Sequence, residues 1–154
     1  MPRLWGGLVL ACTLASSLHA ECREDRVALR GDWGELSFTV DIADDNAERA
    51  KGLMFVERMG RNKGMLFIYP DPIRATFWMK NTLIPLDMIF VDSDGLVTHV
   101  HHEAIPGDLT AIDGGENVRV VLEINGGLAE RYGIEPGSQM QHPVFSSANP
   151  VWPC

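Results

Sequence analysis

Over residues 35–42 the chain alternates strictly, with Leu36, Phe38, Val40 and Ile42 on one side and Glu35, Ser37, Thr39 and Asp41 on the other. A period of two marks a half-buried strand. Shorter apolar or alternating runs recur over residues 27–30, 65–68, 74–80, 86–91, 96–103, 118–124 and 138–142. Turn formers separate them: Pro70 and Pro72, Pro85, the Asp94-Gly95 pair that favours a hairpin, and Pro136-Gly137. Because proline has no N–H for a ladder, residues 69–72 predict a turn or edge segment. Two short helices are predicted. Asp45 with Glu48 makes a capping box for a helix over 46–54, with Ala47, Ala50, Leu53 and Met54 on one face and Gly52 as a point of close backbone approach. Asn125 caps a second helix that Gly133 ends. Residues 64–95 hold the densest aromatic and methionine content and form the centre of the expected core. Alternating βαβ units are absent. The prediction is one mainly β (α+β) domain, an antiparallel barrel or sandwich with two short helices.

Residues 1–20 change the boundaries of that domain. Arg3, an apolar run from Leu4 to about Ala15 and small residues up to Ala20 predict a secretory signal peptide cleaved after Ala20. The apolar run falls short of the roughly 20 residues that span a bilayer. The alternative is lipoprotein processing at Cys12, within Val9-Leu10-Ala11-Cys12. Either route takes the chain across the inner membrane, most simply into a periplasm, as a domain over 21–154 with a proline-rich, extended tail over 143–154 and no membrane-spanning segment. Loss of Cys12 leaves Cys22 and Cys154 near opposite ends. In an oxidising compartment they most simply join in a disulfide, with two free or intermolecular thiols as the alternative. The formal net charge of −8 argues against nucleic acid or an anionic membrane as partner, since both require a basic surface.

Candidate chemistry lies where packing fails to explain a residue. Asp87 interrupts an otherwise apolar strand, and Glu123 stands between Leu122 and Ile124. A buried carboxylate needs a partner. If both converge with Arg49, Trp78, Lys80 and Asn81, they form a polar pocket with an aromatic wall for a small ligand. The competing explanation is structural: ion pairs of Asp87 or Glu123 with Arg49 or Lys80 holding helix to sheet. Two carboxyls could also serve a hydrolase if they faced one cleft. No nucleophile-elbow, zincin or phosphate-loop motif is present, and no cofactor is indicated. His99 and His101 share a strand face at a spacing that can chelate Zn²⁺ or Cu²⁺ given a third ligand such as Glu103 or His142, whereas His102 points away. A solvated histidine-rich face is the simpler account. Met54, Met65, Met79 and Met88 occupy apolar positions and suit core packing better than copper(I) ligation. The discriminating features for a binding protein are the Trp78 face and the Gly/Pro/Asp-rich loop over 104–117.

Arg49 with Gly52-Leu53-Met54, Gly64-Met65-Leu66-Phe67, Phe77-Trp78-Met79-Lys80-Asn81-Thr82, Pro85-Leu86-Asp87, Phe90, Asp94-Gly95 and Leu122-Glu123 occur in one order. Over about 37–141 the chain thereby resembles the small, often exported family catalogued as domain of unknown function 192. That resemblance implies a compact, mostly β domain and no assigned activity. The function expected from the sequence is non-catalytic binding of a small ligand or an exported protein partner.

Overall fold

The computed structural model describes Met1, residues 22–146 and residues 148–154. The expected signal peptide, with its expected cleavage after Ala20 and the lipoprotein alternative at Cys12, falls on residues outside those described, Met1 apart. Among the described residues seven strands are present: β1 Arg26–Gly31, β2 Gly34–Ala43, β3 Lys63–Phe77, β4 Leu86–Val91, β5 Val97–Ala104, β6 Ile112–Asn125 and β7 Gln139–Gln141. Helix α1 (Asn46–Lys51) follows β2, α2 (Leu128–Tyr132) follows β6, and a 3₁₀ turn, Pro143–Phe145, follows β7. The strands form one sheet in the order β5-β4-β6-β3-β2-β1-β7. The sheet curls into a half-barrel whose ends meet through a bridge from Leu96 to Gln139 and bonds from the Val97 N–H to Ser138 O (2.9 Å) and the Met140 N–H to Gly95 O (2.7 Å). Gly95 makes that meeting possible. Its φ is +85°, and a Cβ there would stand 2.7 Å from the Met140 carbonyl oxygen.

The mainly β class with two short helices is as expected, but the pairing is not wholly antiparallel. β2 and β3 run parallel, with Val40 opposite Gly64 and Ile42 opposite Leu66, and α1 lies in the crossover between them. The βαβ unit is hidden in the sequence because its helix has only six residues. Asp45 and Glu48 form the predicted capping box, but α1 stops at Lys51 instead of continuing to Met54, because Gly52 takes φ +48°. Ala47 and Ala50 are exposed, so of the apolar face expected of this helix only Leu53, beyond its end, is buried. The two pieces expected around Pro70 and Pro72 are one 15-residue strand. The prolines fall between Ile68 and Ile73, where the register with β6 shifts, so they still donate nothing to the ladder. β6 begins at Ile112, shortening the predicted loop; Arg74 clamps Asp113 and Glu116 at the bulged end of the β3–β6 pair.

Apolar side chains on the concave side, among them Val27, Phe38, Leu66, Ile89, Leu122, Ile124 and Phe145, form the barrel core. A second cluster lies on the convex side, where Leu53, Met79, Leu86 and Ala104 cover Phe67, Met88, Phe90 and Val121. Met79 and Met88 are fully buried and Met65 and Met59 pack against this cluster, as core methionines do. Cys22 and Cys154 are joined by a disulfide, with Cα atoms 5.7 Å apart. The tail is tied back as well: Val151 donates to Asp94 O (2.8 Å) and Gln141 Nε2 to Pro153 O (2.7 Å).

Candidate functional site

The two suspect carboxyls face opposite ways. On β4, Asp87 pairs in register with Ile124 and points into the concave side, whereas Glu123 pairs with Met88 and lies on the convex side. Asp87 is fully buried and wholly satisfied. Its Oδ1 accepts from the Glu103 N–H (2.8 Å) and the Gly127 N–H (3.0 Å), and its Oδ2 from the Ala129 N–H (2.7 Å). Asp87 thus does the work of an N-cap for α2, whose cap residue Gly127 has no side chain to offer. The predicted cap, Asn125, instead donates to the carbonyls of Met59 and Gly60, both at 3.1 Å. Asp87 therefore neither lines the expected pocket nor forms the ion pair weighed against it; its role is structural, through backbone N–H groups. A shared carboxylate cleft for hydrolysis is not formed.

Glu123 is the opposite case. It is 4% exposed, and its carboxyl has neither a hydrogen bond nor a charged partner among the described residues. Burial alone pushes its pKa from 4.5 up to about 8. At neutral pH it is therefore mostly the uncharged acid, which can donate as well as accept a hydrogen bond.

Glu123 forms part of the lining of a cleft of about 40 Å³ shared with Arg49–Met54, Phe67, Phe77, Trp78, Lys80 and Thr82. The cleft exists because α1 ends early. A Cβ on Gly52 would lie 3.1 Å from the Phe67 ring, so glycine serves both the positive φ and the close ring, and the anticipated backbone neighbour is an aromatic one. Arg49 is held in place: it donates to the Asp44 carbonyl, to Ile68 O (2.8 Å) and to Asn46 Oδ1 (2.7 Å), and its guanidinium lies over the Tyr69 ring. Lys80 has no ion pair among the described residues; its Nζ stands 5.0 Å from the centre of the Trp78 ring. Trp78 itself is 49% exposed. Asn81 stands behind this wall, where its carbonyl accepts from the Phe55 N–H (2.9 Å) and its Nδ2 approaches Met54 Sδ. Both Asn81 (φ 55°) and the exposed Phe55 (φ 66°) sit in the left-handed region, a strained arrangement for a phenylalanine.

Four of the six predicted pocket residues, Arg49, Trp78, Lys80 and Glu123, thus meet in one cleft; Asn81 supports it and Asp87 lies across the sheet. Lys51, Thr82, Phe67 and Phe77 belong to it and were not singled out from sequence. The family-like string from Phe77 to Thr82 was the signal that contained two of them. Across Phe77 and Trp78 lies an adjoining hollow of about 160 Å³, completed by Thr76, Leu109 and Ala111. Larger hollows, of about 360 Å³ and about 330 Å³, lie beside Trp33 and beside Cys22; among the described residues the side-chain polar atom that is wholly buried without a partner is Arg119 Nη1, which lines neither of them nor the Glu123 cleft.

The histidines have a different setting. The register places His99 opposite Phe90 and His101 opposite Met88, so they share the convex face as predicted. His99 stacks on the Phe90 ring, and burial holds the His101 pKa below its ordinary value. Of the suggested third ligands, His142 is engaged elsewhere, its ring bonding Glu24 O and the Val144 N–H. Among the described residues no three His, Cys, Asp or Glu side chains gather to hold a metal ion, and no helix is long and apolar enough to cross a membrane.

No curated protein matches this chain. A solved protein of unknown function from Novosphingobium aromaticivorans DSM 12444 is 45% identical, with a TM-score of 0.73 over 75% of this chain and 82% of its own. A protein from Sinorhizobium meliloti 1021, described as a candidate transcription regulator, is 37% identical, with a TM-score of 0.74 over 79% of this chain and 95% of its own. Residues 27–142 match the profile of DUF192, described as Uncharacterized ACR, and the chain belongs to that family.

Proposed function

We propose that the protein is an exported, non-catalytic binding domain that takes the end group of a small ligand into the Glu123 cleft. One observation carries this reading: Glu123, a residue only 4% exposed whose carboxyl has no hydrogen bond among the described residues, lies at a cleft whose other walls include an exposed indole and a lysine without an ion pair among those residues. An apolar residue at position 123 would pack there without the cost of burying an acid, so a ligand supplies the reason for the acid. Export is supported by the signal-like residues 1–20 and by the disulfide between Cys22 and Cys154, which suits an oxidising compartment such as a periplasm. The net charge of −8 offers no electrostatic footprint for DNA, so the regulatory description of the S. meliloti protein is not carried over. Native mass spectrometry of the protein isolated from its own compartment tests the reading. The mature mass should lack residues 1–20 and contain the disulfide, with a non-covalent adduct that diminishes in Glu123→Leu, which has no hydrogen-bonding group, and in Trp78→Ala. Absence of an adduct, or equal retention in both variants, refutes the cleft as the binding site.

A further inference from the structure

We propose that the ligand of this cleft is an amphipathic carboxylate, seated with its carboxylate between Glu123 and Lys80 and its apolar body lying across Trp78. The inference rests on the cleft being a ligand site and adds the chemical class.

Charge is the first argument. Three cations, Arg49, Lys51 and Lys80, line the cleft against the single carboxyl of Glu123, in a chain whose net charge is −8. The charged or titratable groups around Glu123 come from α1 (Arg49, Lys51), from β3 (Tyr69) and from the segment after β3 (Lys80). β4 contributes Met88 on this side and turns Asp87 away. An incoming ammonium would pass two lysines and compete with Lys80 for the indole face, so a cation is disfavoured. An anion pairs with Lys80 and accepts the O–H of the uncharged Glu123, satisfying both at once.

Shape is the second. The polar cleft of about 40 Å³ has room for an end group and little more, while the hollow of about 160 Å³ beyond Phe77 and Trp78 is lined by Thr76, Leu109 and Ala111 without a charge. Both cavities share Phe77 and Trp78, so a molecule with a charged head and an apolar body bridges them over the indole. A free organic acid and the carboxyl terminus of an apolar peptide present the same chemistry.

The test compares hexanoate, hexanamide and hexylamine by calorimetry in buffers of different ionisation enthalpy and by NMR of the Glu123 carboxyl and Trp78 indole. Hexanoate should bind tightest and take up protons near pH 8. Because the uncharged acid is the binding form, its affinity should fall roughly thirtyfold between pH 7 and pH 9.5. Lys80→Met should weaken hexanoate at every pH, and Glu123→Gln, which keeps a donor, should bind at pH 7 but lose the pH dependence. An acetylated Ala-Ala-Leu peptide with a free carboxyl terminus separates the sources: binding tighter than hexanoate assigns a peptide end, weaker binding a free acid. Preference for the amide or the amine, or proton release with hexanoate, overturns the carboxylate while leaving the cleft as a binding site. If no probe perturbs Glu123 or Trp78, both readings fall.

Discussion

Replacing Glu123 with glutamine should stabilise the protein, and by an amount that depends on pH. In the fold the carboxyl titrates at about 8, against an ordinary value of 4.5. The raised pKa means that the folded state binds the proton more tightly than the unfolded chain. No penalty is present below pH 4.5; as pH rises from there the unfolded chain gains by ionising while the buried acid does not, and stability falls until about pH 8. At 1.36 kcal/mol per unit, the loss attributable to this group is about 3 kcal/mol at pH 7 and about 5 kcal/mol above pH 8. Glutamine fills nearly the same volume and does not ionise, so it escapes this loss. The stability difference between Glu123→Gln and the parent should be near zero at pH 4, grow with pH, and correspond at pH 7 to a melting temperature roughly 10 °C higher. Urea denaturation of both oxidised proteins at pH 4, 5.5, 7 and 8.5, followed by far-UV circular dichroism, measures it; titrations elsewhere in the chain cancel in the difference. A constant difference across that range, or a variant less stable at pH 8.5, would show that Glu123 titrates normally and would remove the energetic argument for a functional acid.

Three further outcomes follow from other residues. Asp87→Asn places an amide among three backbone N–H donors and should cost roughly 3 kcal/mol by the scale for hydrogen bonds to charged groups, with amide exchange increased first at Ala129 and Glu103; unchanged exchange there would contradict the capping role. Paired serine replacement of Cys22 and Cys154 opens a link spanning 132 residues and should lower stability by about 5 kcal/mol in the chain-entropy model, read as a lower urea midpoint; an unaltered midpoint would assign the stability to the docked tail instead. His142 is buried with Nδ1 accepting from the Val144 N–H and Nε2 bonded to Glu24 O, and burial lowers its pKa. Its neutral form is the one the fold prefers, so stability is intact above its ordinary value of 6.5 and is lost as pH falls through that value toward the lower folded one; His142→Gln should flatten this acid limb, and an identical limb in the variant would exclude His142 as its source.

Side-chain period made the strands legible, and cysteine arithmetic the disulfide, because both depend on local pattern or on compartment chemistry. Two things were not legible for a common reason. The parallel β2–β3 pair and the fate of the two carboxyls depend on register between segments far apart in the chain. Parity within β4 puts Asp87 on the opposite face from Met88, but its three donors come from residues 16 to 42 positions away, at a bulge and at a helix start that local pattern does not align. Asp87 therefore looks anomalous in the sequence and is fully satisfied in the fold. Glu123 looks milder because Arg119 and Val121 precede it at the same parity, a pattern equally suited to a face turned to solvent. Its actual neighbours are Met65 and Met88, under a cover formed by residues from α1 and from the segment after β3. The same cover that removes solvent from Glu123 leaves the cleft beside Trp78 and Lys80, so the feature that makes the acid costly also makes it reachable by a ligand. Filling the core more completely would lower the cost and close the cleft; stability and binding oppose each other at this one residue.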